Sequence, residues 1–555
     1  MRIALLLLLF GLLLRVLFWV ATGDRGEPFA AVFQGDAPVW QALAQAANAG
    51  VEHELFRLPL RPPGMSWFVD AIWDGGDASA WSVRLVFAGL AALIAPLCYL
   101  LLRRHVAERT ARTAAGLTAA ASSLLALGSG PHSEVLYLVL VLVTLFDQDR
   151  LRTAASWPVA LRWGLLHGLI CLLRAEHALT FAAFAGLLAL QRAPAWRRSL
   201  AIAALGFAAA LVPWQIVMCG RVAAYNTSNA PRLPGAGERV PGALPWDGAA
   251  LARIAELPAF QRGPVFQFVT DTVRVRGGTA VGAGDLAIVE DAYDSWPEPL
   301  SCAFVCLYGG LNFFLANSPE ADGGFSQAAL HRPPPLRGGD TRYPPGLRTV
   351  LPQQGNLVLS YPPHLERLVH GYRDGLAEIT ADPAGALTRT ATKLAHAAEG
   401  ALPGLGGLAL PIGLSGSRRP VDLVTADGTL AWLYRFALLA AAIAGLWRLR
   451  REPWLWPWLL FLASKLAVVV LFFGYARQGA LCVPVVMLGV AALLERANLL
   501  RPKLLLAGAA VLLAAEVVRT FTVEVAITLP DGTPVQLMPD DHRAVRVEYR
   551  WGRPG

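Results

Sequence analysis

The chain has 555 residues, of which 55% are hydrophobic and only 16% are charged, and its formal net charge is +8. Ordinary soluble domains are about 45–50% apolar and about 25% charged. This composition excludes a soluble enzyme, a disordered protein and a nucleic-acid-binding protein. Because only three of the 48 basic residues are lysines, the positive charge is carried almost entirely by arginine.

Runs of roughly 17 or more apolar residues, the length that crosses the hydrocarbon core of a bilayer, predict about eleven transmembrane helices. They lie, in chain order, at residues 3–22, 83–102, 113–128, 132–147, 159–174, 177–191, 199–219, 429–447, 454–475, 479–494 and 502–520. We expect the first run to be retained rather than removed as a signal peptide, because no clean small-residue cleavage site follows it. The predicted fold is therefore an α-helical polytopic membrane protein.

Arginine is concentrated in every second short loop when the N-terminus is placed inside. Cytoplasmic loops collect Lys and Arg, so this alternation predicts that two large loops, 23–82 and 220–428, lie outside. The tail at 521–555 also falls outside, and its two segments of alternating hydrophobicity predict a small β-ribbon. We expect the apolar stretch 299–316 to be a buried or interfacial helix of the outer domain, because counting it as a span would place basic loops outside.

These assignments divide the chain into four parts. They are an N-terminal transmembrane catalytic module at 1–219, which includes the first outer loop, an extracytoplasmic inserted domain at 220–428, C-terminal transmembrane helices at 429–520 and an extracytoplasmic tail at 521–555. The cytoplasmic loops are short and contain neither a P-loop nor a dinucleotide-binding motif. We therefore expect no nucleotide cofactor, an outward-facing active site in a bacterial inner membrane, and an activated donor that arrives within the membrane.

The six cysteines are dispersed, and four of them fall inside apolar runs, where a thiol behaves as a small hydrophobe. This pattern predicts no disulfide framework. Cys302 and Cys306 have the spacing of one helical turn, but no second pair of metal ligands lies nearby. We expect no zinc site there.

The first outer loop contains an acid close to the membrane surface. Asp36 follows a glycine-led turn, where a carboxylate is placed to take a proton from an acceptor hydroxyl or to hold a metal ion. Trp40, four residues on, would share a helical face with it and is suited to stack on a sugar ring. The alternative interpretation makes Asp36 a helix N-cap and Trp40 an anchor at the membrane interface.

Four groups of short motifs occur in one order along the chain. They are Gly35-Asp36-x-x-x-Trp40 with Arg61-Pro62-Pro63-Gly64, then residues 131–137, then Pro213-Trp214 with residues 226–229, and finally Ala476-Arg477-Gln478 with Pro484. In this order they resemble the large C-type glycosyltransferases (GT-C) that use polyprenyl-phosphate sugars, near the protein O-mannosyltransferase and lipid A aminoarabinose transferase branch. The resemblance covers roughly residues 1–495. Gln478 departs from the usual tyrosine, and the tryptophan motif lacks its usual Arg-Asn.

The resemblance implies a GT-C fold and transfer of a sugar from polyprenyl phosphate to a lipid, glycan or protein acceptor, in one inverting displacement. It makes Asp36 the catalytic acid-base and Glu134 a second carboxylate of the same cavity. Glu134 also has a simpler explanation, since an acid at the start of a helix interacts favourably with the helix dipole.

Arg174 and Arg477 are isolated arginines on the side where the charge bias predicts none. A guanidinium fork suits the phosphate of a lipid donor, so both are candidate phosphate-binding residues, and Arg61 is a third. Glu176 lies close enough in sequence to be a structural partner of Arg174 instead. Lys465 falls near the middle of a predicted span, where we expect an internal structural partner rather than a donor contact.

Two other functions stay open at this point. One is a polymerase or ligase that acts on lipid-linked oligosaccharides, and the other is a non-enzymatic transporter of lipid-linked glycans. The sequence names neither the sugar nor the acceptor, and it leaves open whether a divalent cation takes part.

Overall fold

The computed structural model describes residues 1–22, 37–51, 58–76, 80–227, 244–257, 259–288, 299–331, 362–406, 429–528, 533–534 and 546–551. Within these residues the chain is almost entirely helical, with twenty α-helices and one pair of short strands. Asp36, the candidate base, and the predicted turn between the two strands lie outside the described residues.

The helices of the first part of the chain are, in order, α1 Arg2–Thr22, α2 Ala37–Asn48, α3 Gly64–Asp70, α4 Ala80–Leu102, α5 Glu108–Ala120, α6 Ser122–Leu127, α7 Ser133–Thr153, α8 Trp157–Leu173, α9 His177–Leu190 and α10 Trp196–Thr227. Those of the second part are α11 Gly248–Ala255, α12 Ala259–Val275, α13 Tyr308–Asn317, α14 Pro362–Ala381, α15 Pro383–Ala401, α16 Thr429–Leu449, α17 Trp456–Leu471, α18 Ala476–Ala480, α19 Val483–Arg496 and α20 Pro502–Thr522.

Several of these helices have the length and composition of membrane spans. Among the described residues, four segments are long and apolar enough to cross a bilayer: Trp81–Leu102, Trp196–Thr227, Trp432–Leu449 and Pro453–Leu471. Two more apolar helices are shorter, at Trp157–Leu173 and His177–Leu190. The chain is therefore an integral membrane protein, while the number of about eleven spans stays a prediction.

The third predicted span is not one helix. It divides into α5 and α6 at Ala121, whose backbone is extended (φ −61°, ψ 118°). The backbone groups released there pair with a distant segment: the Ser122 N–H donates to the Gly404 carbonyl (3.0 Å), and the Gly406 N–H donates to the Ala120 carbonyl (2.6 Å). An interruption within the predicted third span needs such partners, because the hydrocarbon core of a bilayer supplies no water to replace them.

Helices α8 and α10 pack against each other through small residues. A Cβ atom added at Gly164 of α8 would collide with the Ala203 carbonyl oxygen of α10, and one at Gly168 would lie 2.7 Å from the Ala210 Cβ atom. Small residues let helix backbones approach closely in membrane proteins, where lipid supplies no hydrophobic force between helices. This contact holds α8, the helix that ends directly before Arg174.

The apolar stretch 299–316 is only partly helical, which corrects the prediction of a helix over its whole length. Tyr308–Asn317 forms α13, whereas residues 299–307, which we call the strap, run along α10. The Asn226 side chain accepts from the Leu300 N–H (3.1 Å) and donates to the Leu300 carbonyl (2.9 Å). Side chains of α10 thus supply hydrogen-bond partners to the backbone of the strap. These bonds replace the ones that a helix would form.

A disulfide joins the strap to α10, between Cys219 and Cys302. The sequence analysis predicted no disulfide framework, and that prediction is wrong for this pair. The two residues are 83 positions apart and their Cα atoms lie 5.1 Å apart, so only the tertiary fold reveals the pairing. Cys302 and Cys306 do not share a helix, because the helix begins only at Tyr308.

The chain continues from α20 into a short strand, β1 Val523–Thr528, which pairs antiparallel with β2 Arg546–Trp551. The register runs from Val523 opposite Trp551 to Thr528 opposite Arg546. Both strands coincide with the segments of alternating hydrophobicity.

Replacing Gly164 with alanine tests the α8–α10 contact. The added methyl group must push the two helices apart, so Gly164→Ala should lower the free energy of unfolding by about 1–3 kcal/mol. Gly186→Ala in α9 is the matched control, since no atom lies within 4 Å of its added Cβ and alanine is the better helix former. Thermal unfolding of both purified variants in detergent checks this, and equal midpoints would contradict the close approach.

Candidate active site

The first outer loop is described on one side of Asp36 only. Helix α2 begins at Ala37, directly after that residue, and Trp40 in its first turn is 4% exposed. The Arg61 guanidinium lies 5.6 Å from the centroid of the Trp40 ring and 5.8 Å from that of Tyr308 in α13. Arg61 therefore connects α2 to α13. Sugar stacking on Trp40 stays a prediction, and it would require the Arg61 contact to open.

The centre of the described site is a buried carboxylate shared by two arginines. Glu134 is 2% exposed, and its Oε1 atom accepts a hydrogen bond from Arg174 Nη1 (2.7 Å). The Nε atom of Arg477 lies 3.5 Å from the same oxygen. Ser133 Oγ donates to the second oxygen, Oε2 (3.3 Å). The structure thus brings together three predicted site residues that are far apart in sequence.

The ends of three helices place these charges. Glu134 lies in the first turn of α7, Arg174 directly follows the last residue of α8, and Glu176 directly precedes α9. A helix favours negative charge at its N-terminus and positive charge at its C-terminus. Each of the three side chains therefore has the sign that its helix end stabilises.

Arg174 is held by two carboxylates. Besides Glu134, its Nε atom donates to Glu176 Oε1 (2.6 Å), so the structural partner considered in the sequence analysis is present as well. Burial alone would raise the pKa of the Glu176 carboxyl, but the charges of Arg174 and Lys465 hold that pKa below its ordinary value. Glu176 is therefore ionised at neutral pH.

Arg477 is positioned by helix α15. It lies on the short helix α18, and α15 contacts this segment so closely that glycine is required on both sides. A Cβ atom at Gly479 would collide with the Ala397 carbonyl oxygen, and one at Gly400 would collide with that of Ala476. The position of α15 therefore determines where the backbone that carries Arg477 lies.

A lysine fixes the other end of the α15 contact. Lys393 Nζ donates to Asn317 Oδ1 (2.9 Å) and to the Val470 carbonyl (3.2 Å) in the last turn of α17. Burial, together with the nearby charge of Arg389, lowers the pKa of Lys393 to about 8. A cation at a helix C-terminus interacts favourably with the helix dipole, so Lys393 ties α15 to the helix that precedes Arg477.

A second buried lysine lies close enough to Glu176 to interact with its charge. Lys465 Nζ is 4.4 Å from the centroid of the Tyr137 ring, and among the described residues it has no hydrogen-bond partner. A lone lysine at the centre of a membrane helix costs about 2.5–3.5 kcal/mol, of which a desolvated cation–π contact offsets about 2 kcal/mol. The ring therefore serves as the internal partner expected for Lys465.

Tyr137 also begins a chain of buried hydrogen bonds. One bond joins Tyr137 Oη to His177 Nδ1 (3.0 Å), and the next joins His177 Nε2 to His167 Nδ1 (2.7 Å). The two imidazoles are stacked, with centroids 4.9 Å apart. This series of hydrogen bonds connects α7, α9 and α8.

Sequence reasoning assigned no role to Tyr137 or His177. Tyr137 follows Glu134 by three residues, the spacing of one helical turn, and this signal was available. No sequence signal indicated that α15 lies against Arg477, because that contact joins segments far apart in the chain.

No group of three or more His, Cys, Asp or Glu residues able to hold a metal ion occurs in the described part of the chain. Asp36, the carboxylate that the sequence analysis considered for holding a metal ion, lies outside that part.

Replacing Glu134 with glutamine tests the shared carboxylate. Glu134→Gln removes the counter-ion of two guanidinium groups, so we expect the free energy of unfolding to fall by about 3–5 kcal/mol. Glu176→Gln is the matched control, since it removes one partner of one arginine at a more exposed position (23%), and its expected cost is about 1 kcal/mol. Chemical unfolding in detergent measures both, and similar losses would show that Arg477 does not depend on Glu134.

No protein-family model matches the chain, and no curated protein matches it. Some solved structures are similar to it. The oligosaccharyltransferase of Archaeoglobus fulgidus in the apo form is 14% identical, with a TM-score of 0.40 over 93% of this chain and 55% of that one. ArnT from Cupriavidus metallidurans bound to undecaprenyl phosphate is 15% identical, with a TM-score of 0.31 over 88% and 78% of the two chains. The chain spans about half the length of the archaeal structures.

Proposed function

We propose that the chain is a membrane glycosyltransferase that moves a sugar from a polyprenyl-phosphate donor to an acceptor outside the membrane. The observation that carries the proposal is the convergence of Arg174 and Arg477 on the buried carboxylate of Glu134. Guanidinium groups match phosphate oxygens in geometry and charge, and a position at the ends of apolar helices suits a phosphate attached to a lipid. The motifs that resemble those of GT-C enzymes support the same function.

The charge of the cluster favours a donor with one phosphate. Three cations (Arg174, Arg477 and Lys465) face two carboxylates (Glu134 and Glu176), so the group carries a formal surplus of one positive charge. A sugar linked to a lipid through a single phosphate is a monoanionic phosphodiester, whereas a diphosphate linkage carries about twice that charge. A buried charge needs a matching partner, so a monophosphate donor fits this balance better.

The proposed reaction is a single displacement at the anomeric carbon. Asp36 takes the proton from an acceptor hydroxyl, the acceptor oxygen forms a bond to the anomeric carbon, and the bond from that carbon to the phosphate oxygen breaks. The leaving polyprenyl phosphate takes the electron pair, and the arginines stabilise its charge as it develops. Attack from the face opposite the phosphate inverts the anomeric centre.

We assign Glu134 to holding the arginines rather than to proton transfer. Its Oε1 atom already accepts from Arg174 and faces Arg477, and its Oε2 atom accepts from Ser133. A carboxylate with both oxygens engaged holds its partners in a fixed geometry. The role of general base then belongs to Asp36 alone.

Arg61 is proposed as a third contact to the donor or acceptor. Its position between Trp40 and Tyr308 lets the first outer loop and the outer domain respond together when substrate enters. Opening this contact would expose the Trp40 ring for the proposed stacking on a sugar.

The finer parts of the proposal concern location and organisation. We place the protein in a bacterial inner membrane with the site facing the periplasm, in a GT-C fold of about eleven spans that is divided at residues 219, 428 and 520 and ends in a β-ribbon tail. The transferred group is a hexose or a pentose, and the acceptor is a lipid, glycan or protein.

Replacing Asp36 with asparagine tests the proposed function most directly. The variant keeps the size of the side chain and its capping oxygen but removes the base, so turnover should fall at least about a hundredfold. The measurement is release of undecaprenyl phosphate by purified protein from a panel of undecaprenyl-phosphate hexoses and pentoses, with envelope extract as acceptor. Asp24→Asn in the same loop is the matched control and should retain activity.

Three outcomes would contradict this assignment. A near-normal rate for Asp36→Asn would make Asp36 a helix cap. Wild-type activity only on diphosphate-linked oligosaccharides would favour a polymerase or ligase, and lipid movement without sugar release would favour a transporter. Membrane level and thermal stability of the variant should remain near those of the wild type, which separates lost chemistry from lost folding.

Replacing Arg477 tests the phosphate contact. Arg477→Ala should raise the KM for the lipid-phosphate sugar about tenfold, and Arg477→Lys should recover part of the loss because the charge returns without the fork. Arg373→Ala, at an exposed arginine of α14, is the control and should leave the KM unchanged. Steady-state kinetics against donor concentration measure these values, and an unchanged KM in a folded Ala variant would remove Arg477 from the site.

A further inference from the structure

One aromatic ring lies against two of the three cations of the cluster. Tyr137 is fully buried. The Arg174 guanidinium carbon is 5.7 Å from its ring centroid, and Lys465 Nζ is 4.4 Å from it. Both distances fall within the range of an attractive cation–π contact.

The position of the far end of this ring is fixed by its hydroxyl group. The Tyr137 hydroxyl is hydrogen-bonded to His177, which is bonded in turn to His167. The His167 ring packs edge-to-face on Trp163, with centroids 4.6 Å apart. Tyr137 itself is fully buried, and the His177 ring packs edge-to-face against it, with centroids 5.3 Å apart, so close packing rather than the hydroxyl sets the direction of its face.

Lys465 depends on the ring more than Arg174 does. Arg174 is also held by Glu134 and Glu176, whereas Lys465 Nζ has no hydrogen-bond acceptor among the residues that the structure describes. Phe461 is the other aromatic ring recorded near Lys465, and its centroid is farther away, at 5.8 Å. Glu176 attracts the Lys465 charge as well, and the face of Tyr137 is the nearer of the two aromatic contacts of the ammonium group.

We propose that Tyr137 is a positioning residue whose ring face, rather than its hydroxyl, holds the Lys465 and Arg174 charges at the donor phosphate. The proposal rests on the proposed function, since it assumes that an anionic lipid binds at this cluster. It adds that affinity for the lipid phosphate depends on an aromatic group that does not touch the phosphate.

Two substitutions at Tyr137 separate the ring from the hydroxyl. Tyr137→Phe keeps the face and removes the hydroxyl, so it should bind undecaprenyl phosphate within about twofold of wild type. Tyr137→Leu removes the face, and its Kd should rise about tenfold. Binding is measured by titrating purified protein in detergent with undecaprenyl phosphate and following the shift in its melting temperature. Phe87→Leu, which removes a fully buried ring of α4 that packs on Phe68, is the matched control and should stay within about twofold.

Lys465→Met provides a second variant that does not depend on how Tyr137→Leu folds. It removes the cation but keeps the apolar stem, so its Kd should also rise. If the ring acts largely through Lys465, adding Tyr137→Leu to Lys465→Met should raise the Kd much less than tenfold. A full additional tenfold loss in the double variant would overturn the proposal.

The remaining outcomes distinguish failure of the proposed function from failure of the positioning role of Tyr137. If undecaprenyl phosphate does not stabilise the wild type, the proposed function fails and this inference fails with it. If the wild type binds the lipid and Tyr137→Leu binds it equally well, only the positioning role is overturned. Equal losses in the Phe and Leu variants would assign the effect to the hydroxyl and would also overturn the role of the ring face.

Discussion

The carboxylate of Glu134 allows two guanidinium groups to lie close together in a buried place. Arg174 and Arg477 come from distant parts of the chain, and without a negative charge between them their mutual repulsion would be strong at low dielectric. The same residue lies in the first turn of α7, and Tyr137, three residues later on that helix, contacts Lys465. The relative positions of α7, α8, α17 and α18 near the site therefore depend on this one anion.

The segment between α10 and α16 takes part in this arrangement directly. Helix α15 lies against the backbone of α18 through Gly400 and Gly479, and its Lys393 binds the end of α17. On the other side of the site, the strap is bonded to α10. It leads into α13, where the Tyr308 N–H donates a hydrogen bond to the Leu60 carbonyl (3.1 Å). Both groups of contacts lie close to a candidate arginine, so α13 and α15 surround the candidate site together with the apolar helices.

The helices could be predicted from the sequence, because long apolar runs are a local property. The candidate phosphate-binding arginines could also be found, since Arg174 and Arg477 break an otherwise regular charge alternation. Their meeting at Glu134 could not, because residues 134, 174 and 477 are brought together only by packing. The break at Ala121 and the Cys219–Cys302 disulfide were missed for the same reason, as each depends on a partner supplied by a distant segment.

The break at Ala121 also has a consequence for biosynthesis. The backbone partners of Ala120 and Ser122 are Gly406 and Gly404, which the ribosome makes only after most of the chain. Until that segment returns, the α5–α6 junction has polar backbone groups without their final partners at a depth where such groups are costly. The N-terminal helices therefore enter the membrane in an unfinished arrangement, and a fragment that stops before residue 404 cannot complete it.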